Sequence, residues 1–105
     1  MFEFSDAWFL TTLICNKGWA SQEQIIVGAD ILNHAIMTPN EIDNAIEKLV
    51  ASGYVEHDQQ KYRATEKAHQ LADCSAFKRA GLFTKVDVIL KRLNRKTRQS
   101  GIDSA

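Results

Sequence analysis

Proline occurs once in this 105-residue chain and glycine five times. That scarcity leaves little room for a long disordered stretch or for an all-β fold dense in turns. Cysteine is rarer still: Cys15 and Cys74 have no metal-ligand spacing, and two thiols make no disulfide framework. They are expected as reduced, mostly buried side chains of a cytoplasmic protein. Also missing is an apolar run of membrane-spanning length. The strongest, "AWFLTTLIC" at 7–15, is too short and follows Glu3 and Asp6 rather than basic residues. No signal peptide or membrane anchor is expected, and the run reads as a core helix. No phosphate-cradling glycine loop, nucleophile elbow or zinc motif occurs, and neither cysteine has the basic neighbours that mark a nucleophile. His34, His57 and His69 form no metal-binding array. Asp30 and His34, four apart, are explained by a solvent-facing pair near a helix C-terminus. The expectation is therefore a chain that is not an enzyme and needs no cofactor or metal.

What is present is an ordinary globular composition, 45% hydrophobic and 25% charged, of a length that suits one modest core with an appended element. The formal charge of zero conceals an asymmetry. Residues 1–77 carry five Lys/Arg against eleven Asp/Glu, a net of −6, and residues 78–105 carry eight against two, a net of +6. The division predicted from this is a body at 1–77 and a basic C-terminal helix with a frayed tail at 78–105. Such a basic segment either reaches for a partner or docks on the acidic body of its own chain or its twin.

Hydrophobic spacing and capping residues set out the elements. A first helix runs from a cap at Ser5 to about Asn16, with Trp8, Phe9, Leu10 and Leu13 inward, and "NKG" at 16–18 ends it. Ser21 with Gln24 fits a capping box that opens a second helix, whose apolar positions are Ile25, Ile26, Ala29, Leu32 and Ile36. Thr38-Pro39-Asn40-Glu41 is the clearest local signal, a capping box with proline at the first helical position. The third helix buries Ile42, Ala45, Ile46, Leu49 and Val50 and stops at Ser52-Gly53. Tyr54-Val55 and Tyr62 then flank a polar apex at 58–60, as in a short β-hairpin. Thr65 caps a fourth helix through Phe77, and Thr84 starts a last one with a Val86, Ile89, Leu90, Leu93 seam. The fold class predicted is mainly α with a small β-hairpin.

The junctions carry a family likeness. "AIEKLVASGYV" at 45–55 followed by "KYRATEKAHQL" at 61–71 is similar to the pattern of MarR- and PadR-like winged helix-turn-helix regulators. Gly53, Tyr54, Val55, Tyr62, Thr65, Glu66 and Lys67 match it, while Ala64 and Ala68 stand where the family has leucine and glycine. The resemblance covers about residues 6–75 and implies a winged helix-turn-helix followed by a C-terminal helix. From Ser21 to Thr38 is 17 positions, more than the family layout needs, so a longer second helix or an extra turn is expected.

The resemblance implies a homodimeric DNA-binding transcriptional regulator whose third helix enters the major groove. The candidate contacts are Asn40, Asn44 and Lys48 on that helix, Lys61 and Arg63 on the hairpin, and Lys91, Arg92, Arg95 and Lys96 on the last helix. Val86, Ile89, Leu90 and Leu93 are the candidate dimer interface. Against this stand Asp43 and Glu47 on the exposed face. A carboxylate at roughly 7 Å from a phosphate costs about 0.6 kcal/mol in water, less after screening, so repulsion is tolerable but attraction is missing. The alternative is an adaptor that uses the acidic third helix to bind a protein and does not touch DNA. On that view the basic stems of the last helix cover an apolar seam or pair with the acidic helix.

Overall fold

Two full capping boxes set where helices begin. The Thr38 hydroxyl accepts from the Glu41 amide at 3.2 Å while the Glu41 carboxylate accepts from the Thr38 amide at 2.9 Å. Ser21 and Gln24 repeat the exchange at 3.3 and 2.9 Å. Each box satisfies backbone amides that a helix start would otherwise leave without partners. The first helix begins earlier than its sequence predicts. Glu3, not Ser5, is the cap, and the Asp6 carboxylate accepts from the Glu3 amide at 2.8 Å.

The computed structural model describes the backbone of residues 1–104 and the side chains of residues 1–96. The element order is α1 (Phe4–Cys15), β1 (Ala20–Ser21), α2 (Gln22–Asn33), α3 (Pro39–Ala51), β2 (Val55–Asp58), β3 (Lys61–Ala64), α4 (Glu66–Ala72), α5 (Ser75–Arg79) and α6 (Leu82–Ser104). The chain is mainly helical with a small antiparallel sheet of order β1-β3-β2. Ala20–Ser21, which no sequence pattern marks, is a third strand, pairing Ala20 with Tyr62.

The hairpin turns through two residues only, since Asp58 pairs with Lys61. Gln59 and Gln60 both lie in the left-handed region, at φ 47° and 67°. Positive φ at both central positions is the geometry that suits a right-twisted hairpin, and it is one that side chains other than those of Gly, Asn and Asp resist.

Every residue of α1 from Asp6 to Leu13 is buried. A helix covered all round lies inside a core, and α2, α3, α6 and β3 all pack against it. The Trp8 indole N–H donates to the Ala29 carbonyl of α2 at 2.9 Å. Phe9 meets Tyr62 of β3 edge to face, with centroids 6.2 Å apart. Thr11 and Thr12 satisfy their hydroxyls on the carbonyls of Ala7 and Trp8, one turn back. Gly28 lets α2 close on α1, for a Cβ there would stand 2.9 Å from the Thr12 methyl.

The predicted fourth helix is two. At Asp73, φ −83° and ψ 68° make an inverse γ-turn in which the Cys74 amide donates to the Ala72 carbonyl at 2.9 Å. The break re-aims α5 so that Phe77 is buried. Three smaller differences concern expected inward positions. Ile36 falls after the left-handed His34 that ends α2 and is exposed, Val50 is on the open side of α3, and Ile46 is only half-buried.

The last helix supplies the main correction. Val86, Ile89 and Leu93 are wholly buried within the single chain, in the same core as α1 and α2, and Leu90 is half-buried. The seam assigned to dimerisation is consumed internally. Its narrowness reflects a helix that buries one face and exposes the rest, which is also what a dimer seam looks like in sequence. The helix continues to Ser104 rather than ending near Arg98, where fraying is predicted; the Arg98 side chain and all of Ala105 lie outside the described residues.

Two stability measurements check these points. Leu93→Ala is expected to cost about 2–5 kcal/mol in urea unfolding, as for a core leucine, whereas a residue that served only a dimer would leave monomer stability unchanged. Replacing Gln59-Gln60 by Asn-Gly is expected to add about 1 kcal/mol. A null or negative change would exclude turn strain.

Candidate nucleic-acid or protein interface

The exposed face of α3 is built by its own amphipathicity. Ile42, Ala45 and Leu49 point to the core, which leaves Asn40, Asp43, Asn44 and Glu47 in solvent. Asn40 and Asn44 are four apart and so share a face. Glu41 is engaged in the cap.

Lys48, the one cation expected on this face, is turned away from it. Its ammonium donates to the Asp6 carboxylate at 3.0 Å, with Asp6 only 1% exposed and Lys48 39% exposed. This hydrogen bond raises the Lys48 pKa above its usual 10.5, against a smaller opposing effect of burial. A raised basic pKa contributes stability at every pH below 10.5 and loses it as pH climbs through the folded value. The pair is therefore intact at neutral pH. Asp6 keeps its second oxygen buried without a hydrogen-bond partner, so the lysine carries much of the compensation for that buried charge.

On the hairpin, Lys61 and Arg63 alternate with buried Tyr62 and Ala64 and so lie on the outer face of β3. Lys61 is exposed. Arg63 is held on two sides: its guanidinium donates to Glu56 at 2.8 Å and sits 4.5 Å from the Trp19 ring centroid. The Glu56 pair is exposed and worth little, but the stack on Trp19 fixes the guanidinium's direction. Nearby, Lys67 donates to the Ser52 carbonyl at 2.7 Å and lies 4.4 Å from the Tyr54 ring centroid.

The α6 cations form a separate group. Lys91, Arg95 and Lys96 are exposed, and Arg92 is half-buried with its Nε buried and unbonded. Among the described residues, Lys91, Arg92, Arg95 and Lys96 make no ion pair with α3 or any other element. Both α3 and α6 lean on α1 rather than on each other. Among the described residues, the basic helix therefore does not pair with the acidic one.

Other features escape the sequence. Nothing in the composition marks Asp6 as a buried ion-pair partner or Trp19 as a platform for Arg63, because both depend on contacts distant in the chain. Asn94 of α6 clamps the N-terminal segment, accepting from the Phe2 amide at 2.9 Å and donating to the Phe2 carbonyl at 3.2 Å. Large apolar side chains stand in solvent at Val27, Ile31, Leu82 and Phe83.

No protein-family model, curated protein or solved structure matches this chain. Among the described residues there is no cluster of three or more His, Cys, Asp or Glu able to hold a metal, and no helix long and apolar enough to cross a membrane.

Lys48→Met tests the buried pair. It should cost about 2 kcal/mol at pH 7, between the values for exposed and fully buried pairs, because it strands the Asp6 charge. Lys61→Met, at an exposed position, should cost almost nothing. Equal effects would mean that Lys48 does not compensate Asp6.

Proposed function

We propose that this chain is a winged-helix-type module that binds another protein through the acidic face of α3 and works without reading DNA. What supports the winged-helix part is the order of helix, strand, two helices and hairpin, together with the pairing of β1 to β3. The 12-residue α2 followed by a loop through Met37 accounts for the long interval before Thr38.

A single observation carries the choice of partner. The face offers Asp43 and Glu47, while two of the candidate cations, Lys48 and Arg63, already have carboxylate partners. Affinity for DNA comes largely from cations on phosphates, and this face supplies too few. A partner with Lys/Arg set around a small polar patch matches it, with Asn40 and Asn44 as neutral hydrogen-bonding groups. The two free thiols fit a cytoplasmic location.

The second reading is a DNA-binding regulator, favoured by exposed Asn40 and Asn44 on one face and by outward Lys61. Asparagine can pair with the adenine edge in the major groove. On this reading Lys91, Arg95 and Lys96 add further affinity, and any homodimer forms through a surface other than the Val86–Leu93 seam.

The readings separate in two measurements. Fluorescence anisotropy with labelled duplexes of mixed sequence, at low and at physiological salt, should detect no binding. Salt-sensitive binding lost in Lys61→Ala or in the combined Lys91, Arg95 and Lys96 alanine variant would establish the DNA reading instead. Affinity capture from the native host followed by mass spectrometry should recover a basic protein with wild-type bait, and that protein should be absent with Asp43→Ala/Glu47→Ala bait. Recovery with both baits would sink the docking face.

A further inference from the structure

The apolar side chains left in solvent are not evenly spread. Ile31 is 58% exposed and Leu82 50% exposed, and both stand at the lip of a crevice of about 220 Å³ between α1, α2 and the first turn of α6. Leu13 and Ile25, each about 1% exposed, lie deeper in its wall. Polar groups occur only at Asn16, Gln24, Thr12 and Cys15. Thr12 is already committed to the Trp8 carbonyl, the Gln24 side-chain oxygen to the Ser21 amide, and the Asn16 amide to the Gly18 carbonyl. Water inside would find few free partners, and an apolar space of this kind favours an apolar guest. A lined apolar cavity of about 150 Å³ is enough for benzene.

We propose that this crevice binds a small, uncharged, mainly apolar molecule, either one aromatic ring with a short substituent or a short alkyl chain, with one polar atom at the rim. The size follows from the volume. The neutrality follows from the wall, which presents no charged side chain. The nearest cation, Lys85, is taken up by the Phe77 carbonyl at 2.6 Å and the Phe77 ring. Binding would cover Ile31 and Leu82, which the chain by itself leaves wet. This site is distinct from the α3 face, and the failure of either proposal leaves the other standing.

Cys15 reports on occupancy. The residue is exposed on its outer side, yet its thiol is set deep enough in the wall for burial to raise its pKa, with Lys85 opposing. A molecule in the crevice should shield it from a disulfide-exchange reagent. The experiment uses the full chain carrying Cys74→Ser, with indole and 1-hexanol as probes. Amide chemical shifts should change saturably and mainly at residues 12–16, 24–32 and 82, and Cys15 labelling should slow at least threefold at saturation. Ile31→Trp, at a position exposed enough to tolerate the larger ring, should abolish both effects by capping the crevice. Ile36→Trp, at an exposed position outside the crevice, should preserve both. Shifts that spread over the surface without saturating would overturn the site. So would unprotected Cys15, or unchanged binding in a folded Ile31→Trp variant.

Discussion

The enclosure of α1 on all sides is the constraint from which the rest follows. A helix of which every residue from Asp6 to Leu13 is buried cannot sit at the edge of a two-layer fold. It needs neighbours around its whole circumference, and the chain provides α2, α3, α6 and the sheet. Burial of so much apolar area drives the assembly, but area alone does not set orientation. Directional contacts do that: the Trp8 indole on Ala29, the Asp6 carboxylate on Lys48, and the Phe9 ring against Tyr62. Each ties α1 to a different neighbour.

This arrangement explains the surface as well as the core. Because α6 is needed to close one side of α1, its Val86, Ile89 and Leu93 are spent inside the chain, while Lys91, Arg95 and Lys96 face out, as do Leu82 and Phe83 at its start. Because α3 closes another side, its carboxylates face out elsewhere. The strong charge asymmetry of the sequence is thus not neutralised by ion pairs between the two helices among the described residues. A lysine that looks available for phosphate is instead recruited to a buried aspartate. The same packing leaves a gap between α1, α2 and α6, where Gly28 draws two helices together and Leu82 does not fill the remaining space.

Local chemistry was readable where it acts over three or four residues. The capping boxes at Ser21 and Thr38, the stop at Gly53 with φ 80°, and the Thr65 cap all stand as the sequence implies. The turn at 58–60 was placed by its polar apex, but its left-handed geometry gave no signal, since glutamine is not a residue that seeks that backbone; the strand pairing on either side imposes it. The two-residue β1 has no periodicity to detect and exists only because Tyr62 and Lys61 lie beside it. The break at Asp73 has no glycine or proline to announce it, and it is stabilised by what Phe77 gains on reaching the core. Of the candidate surface residues, Asn40, Asn44 and Lys61 are where helix and strand periodicity put them. Lys48 and Arg63 have the expected position but not the expected freedom.

By itself the sequence determined the starts of α2, α3 and α4, most of their inward positions and the mainly helical class, because caps and hydrophobic periods are set by neighbours in the chain. Only the tertiary structure decided that the Val86–Leu93 stripe meets α1 of its own chain, that Lys48 belongs to Asp6, and that the acidic and basic helices share no ion pair among the described residues. An apolar stripe or a charge records that a partner is required and not which one. The identity of the partner depends on residues that folding brings within a few ångströms from 42 positions away in the case of Asp6 and Lys48, a separation over which local pattern carries no information.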